Sequence, residues 1–344
     1  EFILNTNFNG DIKQISFTEL KLESNKTQLQ ASINFYIPIK NNVSNFKLLF
    51  NQLNSSSSEL ESIYPNIFGS ILPSSLKSIG DFIFSGELFY YNDRIKSNFQ
   101  LKNNNGEIYS NLDISDFEDI DNSSYIGTFR GVNVDLSNFI TLPFLGKSTF
   151  QFTIDGKGFT PELLDSQLQG KIEELTINNY DYKNINISGD VADKVFNGSL
   201  NVDDENIQMD FIGLIDYSNQ LIDFDFSTNI LKANIGKLNL TSIENNYLSG
   251  KITTKLRGSS TSDLIGDLSF NNFKYFSGDT TYNFDELLAQ SRINNDKRFY
   301  SINSPDAITG IIIGDLNFLQ LPDIIKKHIF SKYKNFDSSD YSYS

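Results

Sequence analysis

The sequence predicts an all-β chain of amphipathic antiparallel strands. Three observations predict it: apolar residues recur with period two, short polar segments join the runs, and no βαβ alternation occurs. In "LIDFDFST", Ile222, Phe224 and Phe226 alternate with Asp223 and Asp225. Phe150, Phe152 and Ile154 do the same in "STFQFTIDG", and Ile207, Met209 and Phe211 in "NIQMDFIG". Val132, Val134 and Leu136 in "GVNVDLSN", with Leu175 and Ile177 in "EELTINN", complete the set. Such alternation gives each strand one apolar and one wet face, the habit of antiparallel sheets.

A second signature, apolar–x–Gly–x–apolar, runs through the chain. It begins with FNGDI (Phe8–Ile12). A Ser-rich start with Glu59 and Glu61 then predicts a short helical insertion around 55–76, closed by Pro73 and divided into two turns by Pro65. FSGEL (Phe84–Leu88) follows, then the hairpin connection "KNNNGE", then YIGTF (Tyr125–Phe129). After "FTPELLDSQ", read as a single turn following Thr160 and Pro161, comes LQGKI (Leu168–Ile172). ISGDV, FNGSL and FIGLI crowd into Ile187–Ile215, with "VDDEN" and "DYSNQ" as connections. LSGKI and LIGDL come next, and "NFDELLAQSRI" fits either a short helix or a strand. ITGII and IIGDL precede a final helical segment, "LPDIIKKHIFSKYKNF", started by Pro322 and Asp323. The chain divides into 1–141, with the helical insertion, a repetitive centre at 142–321, and a helix and polar tail at 322–344. Glycine inside a strand permits a bulge or bend, so the repeated glycines are expected to curve the sheet.

Composition narrows the function. The 344 residues are 39% hydrophobic and 13% aromatic, too apolar for a disordered chain. A net charge of −15 argues against a nucleic-acid partner. There is no Cys, hence no disulfide frame and no thiolate metal site. The start at Glu1 and the polar end "DSSDYSYS" read as a middle piece of something longer.

No catalytic, metal or cofactor constellation is found. The single histidine, His328, lies on an apolar stripe without a clustered partner and reads as a packed imidazole. "VDDEN" lacks the spaced ligands of a calcium loop and reads as a hairpin tip. "GKGFT" (Gly156–Thr160) lacks the Gly-Lys-[ST] ending of a phosphate loop.

Many amphipathic strands and few helices create one long apolar face with little to cover it. Burying a Phe or Ile side chain contributes roughly 1.5–3 kcal/mol, so that face needs a partner. Two solutions satisfy it: packing on a second sheet as a sandwich or barrel, or curling into a trough that takes an apolar guest. The alternation alone does not choose between them.

The run "LPFLGKSTFQFTIDGKGFTPELLDSQLQGKIEELTINNYDYKNINISGDVADKVFNGSLNVDDENIQMDFIGLIDYS" (Leu142–Ser218) resembles the AsmA-like/TamB family, in its Bacteroidota form. The order of features carries the likeness, and flanking stretches such as "LESIYPNIFGSILPSSLKSIGDFIFSG" and "LSGKITTKLRGSSTSDLIGDL" extend it over most of the chain. The resemblance implies an elongated, twisted, open β-trough (a β-taco) and no catalytic residues. It also implies a periplasmic location, with a parent protein anchored in the inner membrane and reaching toward the outer one. Phospholipid acyl chains are the implied cargo. An outer-membrane barrel of the TamA/BamA type is the implied partner, bound through parts of the parent absent here. The fourteen alternating residues named above, Val132 to Phe226, are then the candidate groove lining. The rival is a structural spacer or a chaperone for outer-membrane β-barrel proteins, acting through exposed sheet edges. A polysaccharide lyase on a parallel β-helix is a weaker third, because the repeat spacing is irregular.

Overall fold

A computed structural model describes residues 3–314, apart from residues 25, 37–44, 69–76, 78, 117–118, 120–121, 139–144, 159–162, 242–244, 260–262, 278–279, 295–296 and 306–308. The first strands are β1 (Ile3–Gly10), β2 (Gln14–Glu23), β3 (Gln28–Tyr36) and β4 (Asn45–Ser56), followed by helix α1 (Ser57–Phe68). Then come β5 (Asp81–Tyr91), β6 (Arg94–Asn103), β7 (Gly106–Ser115), β8 (Ser124–Asp135) and β9 (Leu145–Lys157). The centre holds β10 (Asp165–Ile177), β11 (Tyr180–Ala192), β12 (Val195–Asp203), β13 (Ile207–Asp216) and β14 (Ile222–Asn234). The last are β15 (Asn246–Gly258), β16 (Ile265–Ser277), β17 (Thr280–Asn294), β18 (Lys297–Asn303) and β19 (Thr309–Ile313).

These strands form one 19-stranded sheet. Each strand pairs antiparallel with the next in sequence, from β1 through to β19. Among the described residues, substantial contacts between elements join sequence neighbours, and ring contacts lie within a strand or between adjacent strands. Among the described residues no second layer packs on the sheet and its two edges do not pair. The fold is therefore an open, elongated, curved antiparallel sheet, and the sandwich and the closed barrel fall away. At the usual ~4.8 Å between strands, nineteen of them extend about 85 Å along the sheet.

Local chemistry explains the meander. Three hairpins turn on residue pairs that both have positive φ, the geometry matching the right-handed strand twist. They are Asn92–Asp93 (48° and 60°), Asn178–Asn179 (51° and 61°) and Asp193–Lys194 (51° and 63°). Register shifts interrupt many of the pairings, as at Gly131/Val134 between β8 and β9 and at Ile172/Glu174 between β9 and β10. Inside β2, β8, β11 and β16, Glu19, Asn133, Asn184 and Asn272 take φ between 49° and 53°. A bulge bends its strand and raises the local twist, and Asn accepts the left-handed region better than most residues. Asparagines thus share the bending with the strand glycines.

Some strand glycines sit at such irregularities, as Gly250 does between Ser249 and Lys251 and Gly86 beside the Phe50/Leu53 shift, and others have a further task. The side chains of Phe150 and Phe152 lie where a Cβ on Gly131 and Gly170 would stand, with ring carbons 2.5 and 2.4 Å from it. Phe196 lies likewise against Gly189 and Gly198, at 2.8 and 2.6 Å. Gly189, Gly198 and Gly213 sit directly opposite one another across β11, β12 and β13. Gly189 and Gly198 form a floor for the Phe196 ring, and Phe226 lies against Gly213. The motif puts glycine two residues from apolar neighbours, hence on their face. There it makes room for rings that would otherwise collide.

Helix α1 begins as expected: Ser56 Oγ accepts the backbone N–H of Glu59 at 3.3 Å, an N-cap contact. It then runs through Pro65 to Phe68 instead of dividing there, so losing one N–H donor at the proline does not end it. "NFDELLAQSRI" is strand, within β17. The sheet continues across position 141/142 through the β8–β9 pairing. The expected turn after Pro161 falls mainly, and the final helix with His328 wholly, outside the described residues.

Candidate functional site

The pairing register sorts the sheet into two chemically distinct faces. One row of directly opposed residues crosses all 19 strands: Phe8, Phe17, Ile33, Leu48, Leu88, Ser97, Leu112, Gly127, Ile154, Leu168, Gly189, Gly198, Gly213, Phe226, Thr254, Leu268, Ala289, Ile302 and Gly310. A second complete row runs from Gly10 and Ile15 through Phe46, Tyr125, Phe196 and Phe224 to Tyr300 and Ile312. A third joins β2 to β17 through Phe50, Phe99, Phe129, Phe152, Leu200, Phe211 and Phe270. A fourth joins β1 to β15 through Leu22, Phe84, Ile108, Phe150, Ile185 and Met209. None of the four rows contains Asp, Glu, Lys or Arg.

The opposite face is polar. One of its rows reads Gln151, Lys171, Asn186, Asn201, Asp210, Asn229, Lys251, Asn271 and Glu286. Cross-strand ion pairs lie on this side, including Lys47–Glu87 (2.8 Å) and Lys255–Asp225 (3.2 Å). Both pairs are exposed, where such contacts contribute about 0–1 kcal/mol. They keep the face soluble more than they hold the fold.

Of the fourteen residues singled out from the alternation, twelve lie on the apolar face. Phe150, Phe152, Ile154, Leu175, Ile177, Ile207, Met209, Phe211, Ile222, Phe224 and Phe226 share it with Val134, which is 3% exposed. Val132 does not. It sits opposite Glu107, which bonds Lys102 on the polar side. The bulge at Asn133 inserts one extra residue, so Val132 and Val134 fall on opposite faces despite their spacing. Leu136 has left the sheet for a 3₁₀ turn, Leu136–Asn138. Equivalent residues such as Phe17, Phe84, Phe99 and Phe270 were not singled out. The glycine motif was their signal, since FSGEL contains Phe84 and Leu88.

Most large residues on the apolar face are half-buried, shielded by neighbouring rings and not by a second layer. Phe211 and Phe226 lie 5.0 Å apart between ring centroids, and Phe50 and Phe84 5.3 Å apart. Over β14–β16 the face hollows into a cleft of about 520 Å³, lined by Phe224, Phe226, Ile252, Leu256, Leu268 and Phe270. The polar face also hollows, by about 850 Å³ over β9–β13, among Gln151, Gln169, Asn186, Asn201 and Asp210. A twisted sheet gives each face a concave direction, so only the chemistry of the lining separates the two.

One end of the apolar face is closed by a hydrogen-bonded cluster. Asp204, 4% exposed, accepts the Tyr180 hydroxyl at 2.5 Å and the backbone N–H groups of Lys183 and Asn206. Burial, then the bond to Asp204, pushes the Tyr180 phenol up to about 12. Burial also raises Tyr182. These groups end the apolar surface in satisfied polar contacts, as a buried carboxylate requires.

Among the described residues no group of His, Cys, Asp and Glu could hold a metal, and no helix is long and apolar enough to cross a membrane. Compared with known protein families, with curated proteins and with solved structures, the chain matches none.

Proposed function

We propose that the chain is a periplasmic segment of a TamB/AsmA-like bridge protein that shields phospholipid acyl chains against its apolar face between the inner and outer membranes. The observation that carries this reading is the uninterrupted, uncharged surface: four cross-strand rows without an ionised side chain, two of them crossing every strand. Exposed apolar patches beyond a few hundred Å² mark interaction surfaces, and this one runs the length of the sheet. Hydrocarbon suits it, because no row offers a charged group to fix a polar ligand. A surface without charged side chains also offers no strong point contact at any step, which favours sliding over capture. The resemblance of Leu142–Ser218 to the family supports the same reading, and adds the barrel partner and the role in outer-membrane protein assembly.

Introducing charge tests it. Phe152→Asp, Phe211→Asp and Phe224→Asp together are expected to abolish co-purifying lipid, read by mass spectrometry. Asp225→Asn, on the polar face, is expected to leave it unchanged. Lipid content equal to wild type in a folded triple variant contradicts the proposal.

A second reading, a chaperone for outer-membrane β-proteins, draws on the two sheet edges. Strand β1 is exposed along its whole length, and Ile311 and Ile313 of β19 are 69% and 58% exposed. Unpaired edges of this kind accept added strands.

A further inference from the structure

Resting on the acyl-binding reading, we infer that the apolar cleft over β14–β16 recognises the ester carbonyl of an acyl chain through the hydroxyl of Thr254. Thr254 is 3% exposed and lines that cleft of about 520 Å³. Its side chain stands on the apolar face, directly opposite Phe226 of β14 and Leu268 of β16. Ile252 and Leu256 flank it on its own strand. None of these four side chains carries a polar atom. Strand β15 pairs on both sides, so the carbonyls around Thr254 serve the ladder. Its Oγ1 accordingly has no hydrogen-bond partner among the described residues.

A buried hydroxyl without a partner is costly, and elsewhere the chain supplies one. Thr27 and Ser55 bond each other at 2.7 Å. Ser123 and Ser148 donate to the carbonyls of Asp116 and Glu174, at 2.9 and 3.1 Å. Two more hydroxyls on the apolar face, those of Ser110 and Ser291, also lack partners, but neither lines the cleft. Thr254 joins an unmet donor to a cavity walled by Phe224, Phe226, Leu268 and Phe270. The position of the cleft suits an ester. It reaches the sheet margin at Gly258, Ser259 and Leu264, between the end of β15 and the start of β16. A lipid whose headgroup leaves over that margin, with its chains running inward, brings its ester linkages past Thr254. One turn about the Cα–Cβ bond exchanges the threonine methyl and hydroxyl, which presents the donor to the guest. A hydrocarbon tail offers that donor nothing, whereas an ester carbonyl accepts it and needs no cation.

The test is competition between dipalmitoyl phosphatidylglycerol and its dihexadecyl ether analogue, mixed equally in one vesicle, for uptake by the purified chain, read by mass spectrometry. The two share headgroup and chain length and differ in the ester carbonyls. Wild type is expected to take the ester in about three- to ten-fold excess, the worth of one hydrogen bond. Thr254→Val keeps the shape and removes the donor, so it is expected to take both lipids equally. Its urea midpoint should equal or exceed that of wild type, because an unmet buried hydroxyl has gone. Thr254→Ser is expected to keep the preference. Equal uptake by wild type, or a preference that survives in Thr254→Val, overturns the inference while leaving acyl binding intact. A midpoint for Thr254→Val well below wild type overturns it too, since the hydroxyl would then already be satisfied within the chain. Failure of wild type to take either lipid overturns acyl binding itself.

Discussion

At the residue scale, several of the repeated glycines, such as Gly131 and Gly170, mark where a ring lies against the strand. A Cβ on Gly170 would stand 2.2 Å from the Gln151 carbonyl and 2.4 Å from Phe152 Cδ1, whereas one on Gly310 meets nothing within 4 Å. Overpacking of this kind costs about 1–3 kcal/mol. Gly170→Ala should therefore lower the urea midpoint clearly, and Gly310→Ala should leave it within about 0.5 kcal/mol of wild type. Tyr180 gives a second residue-scale prediction. Its phenol titrates near 10.0 when exposed and at about 12 in the folded chain. Between those values the folded chain keeps a proton that the unfolded chain has lost, so stability falls as pH rises through the window. Below the window this group's contribution is fully present. Unfolding measured across it should show a shallower fall for Tyr180→Phe than for wild type.

At the scale of elements, turn chemistry sets the hairpins and bulges set the curvature. Asn179 occupies the second left-handed position of the β10–β11 turn, at φ 61°. Asn179→Gly should be tolerated or stabilise, and Asn179→Val should destabilise, by chemical denaturation. The strands themselves were legible in the sequence, because alternation such as Ile222-Asp223-Phe224-Asp225-Phe226 is a local signal. Two things were not. "DELLAQ" has the composition of a helix, and pairing on both sides within β17 overrides that preference. Asn133 gives no local sign that it is a bulge, yet it reverses the face of Val132. Register depends on the partner strand, and alternation read from one strand cannot carry it.

At the scale of the molecule, the sequence left a sandwich and a trough open, because both bury the same alternating residues. What separates them is whether non-neighbouring strands meet, and that is a long-range property. Here they meet only through isolated side-chain contacts such as Tyr125–Ser166 across β9, and no second sheet covers the apolar face among the described residues. The candidate lining was legible in the sequence from Val134 to Phe226, and the same rows continue beyond it to β1 on one side and to β19 on the other. A conduit requires that continuity, since one charged row would interrupt a path for hydrocarbon. The most direct test is a photo-crosslinker placed in living cells at Leu48, Ile154, Phe226 and Ile302, four members of one cross-strand row, and at their outward neighbours Lys47, Asp155, Asp225 and Ser301. Lipid adducts at all four row positions and none at the neighbours are the predicted result. Protein adducts without lipid along the row, or lipid adducts equally on both faces, would contradict the account.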